Sequence, residues 1–126
     1  MHWFSFGVAL LTAIGIIGIG VMYLLQPRVM TRNFGLPLPE EGRNIVWWLR
    51  LKGSRDIVSG LVVLAVMVWG SPYLLGIILL IEAIIPTGDM SLILAAKGSI
   101  KTAFGVHGLT AALMLLAAVP LLMGAA

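Results

Sequence analysis

Five ionisable residues fall within or at the edge of long apolar runs: Arg55, Asp56, Glu82, Asp89 and His107. Such groups are costly in hydrocarbon and commonly mark proton relays or ligand sites. Glu82 and Asp89 are seven residues apart, so on a helix they return to nearly the same face, about 10 Å apart along the axis. No basic residue neighbours Glu82 in its own run. A charged carboxylate at mid-membrane costs about 2.5 kcal/mol or more, and one held there can serve as a proton carrier or general acid/base. Pro86 lies between the two acids and removes one backbone hydrogen bond, which predicts a kink. The freed carbonyl of Glu82 then needs a hydroxyl or water, and Thr87 and Ser91 are close by in sequence.

The expected catalytic set is Glu82, Asp89, His107, Arg55 and Asp56. Glu82, Asp89 and His107 would share proton transfer, and Arg55 would hold an anion or orient a carboxylate. A purely structural use of the same groups is also open. Arg55 and Asp89 would then lock two helices as an ion pair, and Asp56 would cap a helix start. Asp89 would instead pair with Lys97 or Lys101 by snorkelling, and His107 would donate a hydrogen bond between helices. Neither HExxH nor Glu-x-x-His spacing occurs, so a metal site of Glu82, Asp89 and His107 is only the lesser alternative, and no metal or cofactor is assigned.

These residues must be positioned by membrane helices. The chain has 126 residues, 60% hydrophobic and 10% charged, with mean hydropathy +1.09. Soluble domains carry about 25% charged residues, so a soluble globular fold is excluded. There is no cysteine, hence no disulfide and no thiolate metal site. The net charge of +3 does not point to nucleic acid. The basic residues flank apolar spans, where they set orientation.

The expected fold is all-α: a single four-helix transmembrane domain over residues 1–126, with spans near 3–25, 53–69, 73–94 and 101–123. The first run is too long for a signal-peptide core of about 7–15 residues and reads as a retained helix. Residues 27–46 form a loop holding Pro27, Pro37, Pro39, Glu40 and Glu41. Its stretch from Arg32 to Pro39, apolar for a loop, reads either as a re-entrant cover or, preferably, as an interfacial segment. Gly70-Ser71-Pro72 is a turn signal. A rival three-span topology runs one long helix through 57–81. Four spans place Arg28, Arg32, Arg43, Arg50, Lys52, Arg55, Lys97 and Lys101 on one side; three would move Lys97 and Lys101 across. The positive-inside rule therefore favours four spans in the plasma (inner) membrane, with basic loops cytoplasmic and both termini outside. Trp3, Trp69 and Tyr73 then lie at the outer interface, and Tyr23, Trp47 and Trp48 at the inner one. Ala9, Ala13, Gly15, Gly18 and Gly20 in the first span, and Gly105, Gly108 and Ala112 in the fourth, are expected to let helices approach closely.

Four sequence patterns carry a family resemblance: Phe34-Gly35-Leu36-Pro37, Lys52-Gly53-Ser54-Arg55-Asp56 with Gly60, Pro86-x-Gly88-Asp89, and His107-Gly108. Together they resemble small bacterial and fungal four-helix integral membrane proteins catalogued as a domain of unknown function. The resemblance covers most of the chain and implies a fold and a position for the polar site, but no activity. Three functions fit the residues. One is a buried polar site of Arg55, Glu82, Asp89 and His107 that binds, or acts by acid–base chemistry on, a small lipophilic molecule. The others are a small proton-coupled transporter working as a dimer, a homo-oligomer of this chain, and a structural or accessory subunit. The expected partners are the lipid bilayer and a lipophilic small molecule.

Overall fold

The structure is a computed structural model that describes residues 2–39 and 42–124. Glu40 and Glu41 of the expected loop, and the terminal residues on which chain-end sidedness turns, lie outside the described residues. The described chain is helical, and no strand occurs in it.

Helix α1 spans Trp3–Leu25, α2 Pro27–Phe34, α3 Ile45–Trp69, α4 Pro72–Glu82 and α5 Ile84–Ala95. A single turn, α6 (Ile100–Thr102), leads through a π-helical turn at Ala103–Gly108 into α7 (Leu109–Leu122). Three helical stretches are long and apolar enough to cross a membrane: Trp3–Leu25, Pro72–Ala95 and Ile100–Leu122. Their lipophilic side chains face outward along most of their length, from Leu11 and Ile14 on α1 to Leu116 and Val119 on α7. The chain is thus a multi-pass membrane protein.

Local chemistry sets the helix boundaries. Pro27 begins α2 directly after Gln26, because proline suits the first helical position and cannot extend α1. The Ser71 hydroxyl caps α4 by accepting from Leu74 N–H at 3.1 Å, with Pro72 following it. The break at Gly70-Ser71 rules out one continuous helix through 57–81. Ser99 caps α6 by accepting from Thr102 N–H at 3.1 Å. After α5, Gly98 N–H donates to the Ile93 carbonyl at 2.8 Å and Lys97 adopts φ 57°, closing the helix in a left-handed cap.

Two stretches differ from the sequence reading. The first loop is largely the helix α2, and α3 starts at Ile45 rather than near Gly53. Asp56 is therefore mid-helix and caps nothing. It pairs instead with Lys52 one turn back, at 2.7 Å.

Helix α1 packs chiefly on α3 and α4 on α7, with α1 also meeting α7 and α3 meeting α4. Small residues make the α1–α3 approach. A Cβ on Gly20 would lie 2.6 Å from the Gly53 carbonyl oxygen, and one on Gly60 would lie 2.7 Å from that of Ala13. Of the small residues expected at contacts, Ala9, Ala13 and Gly20 are buried. Gly15, Gly18 and Gly105 face open space and Ala112 is exposed. On α7 the buried small residues are Ala111, Ala117 and Ala118 instead. The core gathers Ala9, Ala13, Val63, Leu75, Leu79, Met114, Ala117 and Leu121, at one end of the molecule. Ser5 ties α1 to α7 there by donating to the Ala117 carbonyl at 2.7 Å.

Candidate functional site

Bordering that core, and sharing Ala13, Val63 and Met114 with it, the helices surround a cavity of about 350 Å³. Each wall is a stripe at helical spacing. Helix α1 supplies Thr12, Gly15, Ile19 and Tyr23, and α3 supplies Lys52, Asp56, Ser59 and Val63. Glu82, Pro86 and Asp89 come from the α4–α5 rod, and His107, Thr110 and Met114 from the π turn and α7. Met30, Asn33 and Phe34 of α2 close one end. The lining is mostly apolar, so the polar groups stand out as a few convergent positions.

Of the five residues singled out from sequence, Asp56, Glu82, Asp89 and His107 border this cavity. Arg55 does not; it is exposed on α3. One residue step rotates a helix by about 100°, which carries Arg55 off the stripe that holds Asp56. No charged side chain among the described residues is fully buried; Ser5 is the buried polar residue. The side chains of Asp56 and His107 are 13% and 12% exposed, against 28% for Asp89.

His107 is held from two sides. Its Nε2 lies 3.0 Å from the Phe34 carbonyl oxygen. A carbonyl only accepts, so Nε2 carries the hydrogen and donates it. Nδ1 then faces Asp89 Oδ2 at 3.8 Å, about 1 Å beyond hydrogen-bond distance. The Phe34 ring leans on the imidazole with centroids 4.6 Å apart. The π turn presents His107 here, and turns of this kind recur at functional sites.

Glu82 accepts a hydrogen bond from the Ser59 hydroxyl across the α3–α4 contact. Thr87 and Ser91 spend their hydroxyls on their own helix, donating to the Ala83 and Thr87 carbonyls at 2.8 Å each. The helix breaks at Ala83, three residues before Pro86, where the lost backbone bond predicts it.

Sequence reasoning passed over Lys52 and Ser59. Lys52 Nζ binds Asp56 and stands over two aromatic faces, 4.2 Å from the Tyr23 centroid and 4.9 Å from that of Phe34. The signal was available: residues 52, 56, 59 and 63 share one face of α3, and position 55 does not. Tyr23 and Phe34, expected as an interface anchor and a loop residue, are the walls of this ammonium site. The segment around Phe34 thus covers the cavity. It is tied down by the His107 bond and by Ser99 N–H donating to the Gly35 carbonyl at 2.8 Å. A Cβ on Gly98 would collide with that carbonyl oxygen, so the α5–α6 turn needs glycine to receive the cover.

Among the described residues no group of three or more His, Cys, Asp or Glu is disposed to hold a metal ion.

The apolar helices and the cavity between them define a multi-pass helical membrane protein. Residues 13–121 match the family described as Domain of unknown function (DUF4267), and the chain belongs to it. No curated protein and no solved structure matches the chain.

Proposed function

We propose that the cavity binds a small lipophilic molecule and acts on it, or carries it, through proton exchange at Glu82, Asp89 and His107. The reading rests on one observation. Asp56, Glu82, Asp89 and His107 come from four helical segments, α3, α4, α5 and the π turn, yet all border one mostly apolar cavity. Helix pairing alone asks for two partners per contact, whereas these groups converge on a space large enough for a ligand. The Asp89–His107 pair suits proton exchange. With Nε2–H committed to Phe34, the proton between Nδ1 and the carboxyl is the one the pair can give or take.

The topology that accompanies this reading is a single four-span bundle in the inner membrane. Helix α3 has 25 residues, about 37 Å, enough to cross a hydrocarbon core of about 30 Å. Arg50, Lys52, Arg55 and Asp56 occupy its first half, so this half lies toward the basic, cytoplasmic side. Both termini then lie outside.

The test uses the full chain in lipid nanodiscs and a neutral long-chain alcohol bearing a photoactivatable diazirine. Adducts should concentrate on the cavity stripes, around Gly15–Ile19 of α1 and Ile85–Asp89 of α5. Gly15 faces open cavity, so Gly15→Phe fills the space without disturbing a helix contact. It should abolish those adducts and leave labelling of the outer faces unchanged. Labelling that follows lipid exposure alone, indifferent to Gly15→Phe, would refute the site.

A further inference from the structure

We propose that the ligand of this cavity is a lipophilic cation, an amphiphile with a protonated amine or quaternary ammonium head. The proposal rests on the reading of the cavity as a ligand site and specifies its chemistry.

The first argument is charge. The wall carries three carboxyl groups, Asp56, Glu82 and Asp89, against one lysine and one histidine. Lys52 is already committed to Asp56 at 2.7 Å. Arg55, the other cation that could have met an anion here, is exposed and off the cavity. An anionic head would face Glu82, bonded to the neutral Ser59 hydroxyl, and Asp89, whose His107 partner stands 3.8 Å away, whereas an ammonium head meets complementary charge.

The second argument is a stand-in within the chain. The Lys52 ammonium already sits on a carboxylate and two aromatic faces, Tyr23 at 4.2 Å and Phe34 at 4.9 Å. Carboxylate with aromatic walls is the arrangement by which proteins recognise organic ammonium groups. The Lys52 side chain is long, rotamer-rich and 34% exposed, so a ligand ammonium can displace it or add beside it toward Asp89.

The third argument is access. Leu11, Ile19, Ile85 and Val106 line the cavity and are also exposed, at 73%, 40%, 43% and 54%. All four side chains are apolar and belong to helical stretches that span the membrane. The mouth therefore opens sideways into hydrocarbon, the phase in which an amphiphile's tail resides. The tail enters past these residues while the head finds the carboxyl groups.

The experiment measures saturable binding to the full chain in nanodiscs of zwitterionic lipid, with three probes of one tail length: octyltrimethylammonium, octanesulfonate and octanol. The ammonium should bind at least tenfold more tightly than either of the others. Asp89→Asn should weaken it at least fivefold, with octanol unchanged. Lys52→Gln should strengthen it at least threefold, because the internal competitor is gone. Arg43→Gln removes the same formal charge at an exposed loop position and should change nothing. Equal affinity for all three probes overturns the cation assignment while leaving a ligand site in place. Preference for the sulfonate, or weaker ammonium binding in Lys52→Gln, overturns it as well. If none of the three binds saturably, the site reading itself fails.

Discussion

Gly60→Ala adds one methyl group at a close approach between α1 and α3. Its Cβ would stand 2.5 Å from Ile17 Cγ1 and 2.7 Å from the Ala13 carbonyl oxygen. The side-chain contact can be relieved by rotation, but the backbone oxygen cannot move alone. Restoring about 3.4 Å to it requires the helices to part by about 0.7 Å. A gap of that size forfeits roughly a quarter to a half of the dispersion energy of each facing contact. Overpacking of this kind costs about 1–3 kcal/mol. Gly18→Ala is the matched control. It lies on α1, and a Cβ there meets nothing within 4 Å. Alanine favours a helix over glycine, so this variant should be neutral or slightly stabilising. Reversible unfolding in mixed micelles with rising dodecyl sulfate fraction, followed by circular dichroism, separates the two. Equal stability of Gly60→Ala and Gly18→Ala would show that the close approach of α1 and α3 is not what holds them together.

Three further outcomes are expected. Ser5→Ala removes the buried hydrogen bond to Ala117 and should lower stability by about 0.6–1.7 kcal/mol in the same titration, the range for interhelical bonds in membranes. His107→Ala releases the Phe34 carbonyl and the ring contact, so amide hydrogen exchange in Pro27–Phe34 should accelerate by about two- to twelvefold, for a net bond of about 0.5–1.5 kcal/mol, while α7 is unaffected. Lys97→Gly relieves a left-handed conformation that costs a side chain about 1–2 kcal/mol, offset in part by glycine's greater freedom when unfolded, and should raise stability by about 0.5–1 kcal/mol.

Much of the helical layout was legible because apolar length and Gly-Pro punctuation act locally. The span from Trp3 to Leu25 and the turn at Ser71-Pro72 follow from residue type alone. The start of α3 was not legible. Residues 45–52 mix tryptophans with charges, and their helix is continuous with the apolar stretch that follows them. Nor was the helical state of residues 27–34, which read as a loop through Pro27, although proline at a first helical position is a start signal as well. Within the candidate site, the shared face of Glu82 and Asp89 was correctly drawn from their spacing. Charge and depth qualify Arg55 and Lys52 alike, and only the stripe through Asp56, Ser59 and Val63, which holds Lys52, separates them. The contact between His107 and Phe34 joins residues 73 positions apart, and no local pattern announces it.

The π turn at Ala103–Gly108 has a genealogical consequence. A π turn is what remains when one residue is inserted into an α-helix whose flanks keep their register. Deleting a single residue between Ala103 and Gly108 would close the turn to α-helix. The face of α7 that meets α4 through Ala117 and Leu121 would keep its register. The imidazole, caught inside the altered turn, would swing by about 100° away from Asp89 and the cover. An ancestral chain shorter by one residue can therefore share this fold without this histidine's position. A related chain one residue shorter between positions 103 and 108 would be expected to keep the helix packing and lose the imidazole's place beside Asp89.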